Sequence, residues 1–193
     1  MQRDKKQLIL DGAAKSFTLF GYKATTMDQV AKIAKVGKGT IYTYFSTKEQ
    51  LLKEIIENLA LEMREVANKS INPDDSFVDN FNAALSGIVE FREKHELTVK
   101  LSQEMREYGT PAVGDALQAM EDDICQYIEG RIQKAIDQGQ LRKCDPKVTA
   151  FLMFKMYINL VSDWKERHGS LSKEEVAQLM NFYFMEGLAP LTK

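Results

Sequence analysis

Cysteine, histidine and long hydrophobic runs are the scarce features of this 193-residue chain, and each scarcity removes a class of function. Its two cysteines, Cys125 and Cys144, supply neither the disulfide framework of a small secreted domain nor a metal-ligand set, so both read as free thiols. The two histidines, His95 and His168, stand alone, with no cysteine or carboxylate at metal-ligand spacing, so no metal site is expected. Ser86-Gly87 lacks the rest of a nucleophile elbow, and Gly37-Lys38-Gly39-Thr40 lacks the glycine spacing and preceding strand of a phosphate-binding loop. An enzyme is therefore not expected, and no cofactor is implied. No apolar run reaches the length of a membrane span, and Met1 to Lys6 lead into an amphipathic pattern instead of a signal core. The expected setting is the cytoplasm, with no membrane partner.

What is present is an ordinary globular composition with 44% hydrophobic and 28% charged residues, which excludes general disorder. The net charge of −2 conceals a split. Residues 1–50 hold nine Lys/Arg against four Asp/Glu, whereas the remaining residues hold 17 against 24. A basic head on an acidic body implies that the head alone meets a polyanion.

Helical periodicity runs through the chain. Ile9, Ala13, Phe17 and Phe20 recur at three and four from Lys5 onward, and Gly21 is placed to end that helix. Thr26 and Gln29 form a capping box before a short helix that turns Met27, Val30, Ala31 and Ala34 inward. A turn at Lys35-Val36-Gly37 leads to a third helix. Ser46 with Glu49 predicts a second capping box, opening a long helix to about Lys69. Three short helices with a glycine-containing turn before the third are the plan of a helix-turn-helix head.

The stretch Gly37 to Phe45 carries the chemistry. Gly37 and Gly39 keep the helix entrance free of bulk, Lys38 adds charge, and Thr40 can meet a phosphate, a base edge or a thymine methyl. Tyr42 and Tyr44 can each offer a hydroxyl to phosphate, while Ile41 and Phe45, four apart, belong to a buried side. Thr26 and Lys48 stand at helix starts, where backbone N–H groups and partial positive charge favour phosphate.

Thr25-Thr26, Val30-Ala31, Ala34-x-Val36, Lys38-Gly39-Thr40-Ile41-Tyr42, Tyr44-Phe45 and Lys48-Glu49-x-Leu51 together resemble the signature of the TetR family of bacterial transcriptional regulators. Gly37 departs from it, since many members carry Ser there. The resemblance implies an all-α fold: a helix-turn-helix DNA-binding domain over residues 1–48, and a helical effector-binding and dimerisation domain over 49–193. It also implies a homodimeric repressor of a palindromic operator. Thr26, Lys38, Gly39, Thr40, Tyr42, Tyr44 and Lys48 would then face double-stranded DNA.

The body reads as helical throughout. Asn72-Pro73-Asp74-Asp75 breaks the long helix, and Phe77 to Lys94, Leu97 to Met105 and Pro111 to Gln138 supply further apolar stripes. Asp145 and Pro146 open a helix that is apolar nearly all round to Trp164, and a capping box at Ser172 and Glu175 opens another whose apolar positions reach Leu188. Such helices need cover on more than one side, so Phe151, Phe154, Ile158, Leu179, Phe182 and Tyr183 are expected in a two-fold interface. Members of the family hold a small-molecule effector in the body. Here Phe91, Met105, Tyr108, Met120, Tyr127, Tyr157 and Trp164 are the candidate lining for a largely apolar ligand such as a fatty acid, acyl thioester, lipophilic drug or hydrophobic metabolite. His95, Glu104, Arg106, Tyr108 and Asn159 are candidate polar handles. The alternative is a helical protein-binding adaptor with a vestigial head.

Overall fold

The computed structural model describes residues 4–94 and 96–186. Among the described residues every regular element is helical. In order these are α1 (Lys5–Phe20), α2 (Met27–Ala34), α3 (Lys38–Tyr44), α4 (Lys48–Lys69), α5 (Phe77–Lys94), α6 (Glu96–Tyr108), α7 (Pro111–Asp137), α8 (Pro146–Val161), α9 (Asp163–His168) and α10 (Lys173–Met180), followed by a π-helical turn, Asn181–Met185. No described helix is long and apolar enough to cross a membrane. His95 and Leu188 lie outside the described residues.

Local chemistry sets the helix ends. Asp4 caps α1 by accepting the Lys6 N–H, and Gly21, at φ +81°, ends it with its N–H on the Phe17 carbonyl. The capping boxes at Thr26/Gln29 and Ser172/Glu175 are both formed. Asp145 caps α8, whose first turn holds Pro146. The box expected at Ser46/Glu49 is displaced by one residue. The Glu49 carboxylate is taken by the Tyr22 hydroxyl at 2.8 Å, so Gln50 supplies the oxygen that accepts the Ser46 N–H, also at 2.8 Å. The Gln50 N–H in turn reaches the Thr47 hydroxyl at 3.3 Å.

Two expectations from periodicity are corrected. Phe20, placed on the buried stripe of α1, is 52% exposed as the last residue of the helix, whereas Phe17 in the same turn is fully buried. The apolar helix beginning at Pro146 does not run to Trp164. At Ser162 the backbone leaves helical values (φ −119°, ψ −74°), and the chain restarts as α9 with Asp163 and Glu166 in its first turn, where acidic side chains suit the N-terminal dipole.

The chain divides into two compact units. One unit is Met1–Leu61 with His95–Met120; the other is Glu62–Lys94 with Glu121–Lys193. In the first, α1 packs on α2, α3 and α6, over a core that includes Ile9, Ala13, Phe17, Val30, Ile41, Leu51 and Leu52. The α1–α2 contact is close enough to exclude any side chain at Gly12, whose added Cβ would lie 2.8 Å from Ala34 Cβ and 2.9 Å from Ala34 N. In the second, α10 packs on α5 and α8, around Leu85, Val89, Ile132, Ala150, Met153, Tyr157, Val176 and Met180. Burial of these side chains, at about 1.5–3 kcal/mol for each large one, is the main stabilising term in either unit.

Candidate nucleic-acid interface

α3 is amphipathic over seven residues. Ile41 has no exposure and Phe45 is 3% exposed, which anchors one side in the head. Tyr42 (47%) and Tyr44 (42%) stand outward on the other, beside the half-buried Thr40. Nothing lies within 4 Å of a Cβ built on Gly39, so backbone is open to approach at that point. The entry turn puts Lys35 in the left-handed region (φ +54°), with the Val36 N–H on the Ala31 carbonyl at 3.1 Å.

Gly37 has an ordinary extended conformation (φ −67°, ψ 145°) and is the N-cap of α3 with no side-chain cap. A Cβ there would meet only the Thr40 hydroxyl, at 3.7 Å. A serine would therefore fit there, and with glycine α3 has no side-chain cap at its start.

Lys38 and Thr26 are both exposed and both partnered. The Lys38 ammonium sits 2.7 Å from the Asp28 carboxylate on α2, and that hydrogen bond pushes its pKa up. An exposed pair of this kind contributes little to stability. Thr26 is occupied as the N-cap of α2, accepting the Gln29 N–H at 3.3 Å.

Lys48 differs from expectation. Its ammonium turns into the head, donating to the carbonyl oxygens of Tyr22 (2.7 Å), Thr25 (2.8 Å) and Lys23 (3.4 Å), and it stands 4.3 Å from the centre of the Tyr22 ring. Burial pushes its pKa down. A charge so engaged braces the α1–α2 turn. Burial first, then the Glu49 hydrogen bond, pushes the Tyr22 phenol up.

Glu104 was not foreseen in this role. Its carboxylate, on a residue only 7% exposed, accepts the backbone N–H of Tyr22 at 2.6 Å, that of Lys23 at 3.0 Å and the Thr110 hydroxyl at 3.2 Å. It is thus turned to the head and unavailable as a handle for a ligand in the body. The signal was present in the sequence: Glu104 follows Leu97 and Leu101 at helical spacing, on the face that α6 buries.

The candidate effector residues fall into both compact units. In the first, Met120 is buried, Met105 rests its thioether near Gly114, and Tyr108 is 62% exposed with the Lys23 ammonium 5.1 Å from its ring centre. In the second, Tyr157 belongs to the core, Phe91 is half-buried, and the Tyr127 hydroxyl donates to Asn68 Oδ1 at 2.7 Å. Trp164 is 44% exposed and lies against His168, ring centres 4.3 Å apart. Tyr108 and Trp164 are thus exposed in the single chain, as are Arg106 and Asn159. Of the residues expected at the dimer interface, Phe151, Phe182 and Tyr183 are exposed, whereas Phe154, Ile158 and Leu179 are half-buried.

Comparison with known proteins accounts for nearly the whole chain. Residues 9–55 match the family described as bacterial regulatory proteins, tetR family, and residues 74–188 match the tetracyclin repressor-like C-terminal domain. The HTH-type transcriptional regulator YhgD of Bacillus subtilis is 49% identical, over 98% of this chain and 99% of its own. The negative regulator of the biofilm operon icaADBC, IcaR of Staphylococcus aureus, is 22% identical over 92% and 98%. Among solved structures, SmeT, the repressor of the Stenotrophomonas maltophilia multidrug efflux pump SmeDEF, superposes with a TM-score of 0.75 at 22% identity, covering 98% of this chain and 92% of SmeT. These relatives are transcriptional regulators, not enzymes. The chain belongs to the TetR family of DNA-binding bacterial transcriptional regulators.

Proposed function

We propose that this regulator is a repressor that binds a palindromic operator as a homodimer and leaves it when a largely apolar small molecule binds the helical body. The observation that carries the DNA-reading part is the two-sidedness of α3: Ile41 is fully buried while Tyr42 and Tyr44 stand outward beside Thr40. Thr40 reads a base edge or thymine methyl; Tyr42, Tyr44 and Lys38 take phosphate oxygens, with Lys38 exchanging Asp28 for DNA. The open backbone at Gly39 supports close approach to the groove.

Dimerisation is supported by the apolar surface that a single chain leaves in water. On α8, Val148, Phe151 and Leu152 are each about half exposed, and Phe182 and Tyr183 in the last turn are more so. Pairing with a second copy covers that surface and sets two copies of α3 on successive major grooves. Negative regulation is the role of IcaR and SmeT, and the same sign is proposed here. The effector, a fatty acid, acyl thioester, lipophilic drug or hydrophobic metabolite, sits among Phe91, Tyr127 and Tyr157, and the protein acts in the cytoplasm.

A fluorescence-anisotropy titration with duplexes from the regulatory region of its own gene tests the reading. The wild type binds one duplex in preference to a scrambled one, and Thr40→Ala reduces that preference about tenfold, the scale of one lost base contact. No preferential binding at moderate salt would overturn it.

A further inference from the structure

The five residues Gly21 to Thr25 join α1 to α2, and their backbone is gripped from two sides by opposite charges. From α6, the Glu104 carboxylate accepts the N–H groups of Tyr22 and Lys23. From the start of α4, the Lys48 ammonium donates to the carbonyl groups of Tyr22 and Thr25. Tyr22 is held at both ends of its own backbone, N–H by an anion and C=O by a cation, and its hydroxyl is tied to Glu49. Gly21 completes the fit: its φ of +81° favours glycine, and a Cβ would stand 2.9 Å from Glu104 Oε2.

This turn delivers the chain directly into the helix-turn-helix. Thr26, the next residue, is the N-cap of α2, and α2 packs on α3. A shift of the turn therefore shifts the start of α2 and, through it, the reading helix. Glu104 lies within residues 74–188, the part matched by the C-terminal domain, yet it is built into the compact unit that contains the helix-turn-helix.

We infer that Glu104 is a positioning residue for DNA recognition: through the Tyr22 and Lys23 amides, and jointly with Lys48, it fixes the register of α2 and α3. Charge-assisted hydrogen bonds to a carboxylate are roughly twice as strong as neutral ones, so an ionised side chain here holds the turn more tightly than an amide could. Glu104 touches no DNA in this scheme. Its loss spares the groups that meet phosphate and spoils the alignment that selects a sequence.

The test compares Glu104→Gln, Thr110→Val, Lys48→Met and the Glu104→Gln/Lys48→Met double variant with the wild type, all as full-length protein. Anisotropy is measured with the operator duplex bound by the wild type and with a scrambled duplex of equal length, beside circular dichroism. Glu104→Gln lowers operator affinity about tenfold, on the scale of one charge-assisted bond, and leaves scrambled-duplex affinity and its salt slope unchanged. Thr110→Val, which removes only the third donor to the carboxylate, lowers the operator preference about threefold. Because both charges act through one turn, the double variant loses less than the product of the single losses. A folded Glu104→Gln variant with unchanged operator preference overturns the inference, as does a double variant whose losses multiply. If Glu104→Gln does not fold, an unchanged preference in Thr110→Val overturns it. Parallel loss on both duplexes would instead mark Glu104 as a plain structural contact.

Discussion

Gly12→Ala is a single added carbon at a place where the head has no room. The new Cβ would lie 2.8 Å from Ala34 Cβ, 2.9 Å from Ala34 N and 3.0 Å from Ala34 Cα, all of them backbone or backbone-attached atoms of α2. Carbon atoms prefer separations of about 3.5–4.0 Å, so α1 and α2 must part by roughly 0.5–1 Å. Overpacking costs about 1–3 kcal/mol, in the upper half of that range where the clash is with backbone, and the better helix propensity of alanine returns about 1 kcal/mol, leaving a net loss of about 1–2 kcal/mol. Gly130→Ala provides the contrast, since nothing lies within 4 Å of a Cβ in that part of α7. It gains about 0.5–1 kcal/mol from propensity alone. For a chain of this size the two variants separate by roughly 3–12 °C in thermal midpoint, read by circular dichroism at one fixed protein concentration. A Gly12→Ala protein melting at or above the wild type would refute the account of the α1–α2 contact.

Three further outcomes are expected at the site and the interface. Lys48→Met lowers stability by about 1–2 kcal/mol in urea unfolding, because the Tyr22 and Thr25 carbonyls lose a charged donor; the salt slope for non-specific DNA stays at the wild-type value, and a drop of about one unit would restore a direct phosphate contact. Its own backbone N–H, and then the Tyr22 hydroxyl, hold the Glu49 carboxyl below the usual range. A depressed carboxylate stabilises the fold above its unfolded pKa, about 4.3, and loses that contribution as pH falls through the folded value. The thermal-midpoint gap between wild type and Glu49→Gln is therefore flat at neutral pH and closes below about pH 4, and a gap unchanged to pH 3 would contradict it. Phe182→Glu puts a charge on a side chain that is 59% exposed in the single chain, and it yields monomers in sedimentation at micromolar concentration; a persistent dimer would remove Phe182 from the interface.

The helix ends and the reading helix were legible because their signals are local. Thr26 with Gln29, Ser172 with Glu175, and Asp145 with Pro146 announce helix starts through side chains a few residues apart, and Ile41 and Phe45 mark the buried side of α3 by spacing alone. What escaped the sequence depends on partners distant along the chain. Gly12 reads as an unremarkable helix residue until Ala34 is brought against it. Lys48 carries a positive charge in a basic head, which suggests phosphate, and only the folded α1–α2 turn supplies the three carbonyls that claim it. Glu104 sits in the charged run Glu104-Met105-Arg106-Glu107, whose composition speaks for solvent, whereas its register with Leu97 and Leu101 speaks for burial. Register was the better guide.

The central claim, that two copies of α3 read one operator, is tested most directly by hydroxyl-radical footprinting on the regulatory DNA of its own gene. The account predicts two protected half-sites related by two-fold symmetry, their centres about one helical turn or a multiple of it apart, both lost in Phe182→Glu at the same protein concentration. A single asymmetric patch, or protection that survives in a monomeric variant, would contradict it.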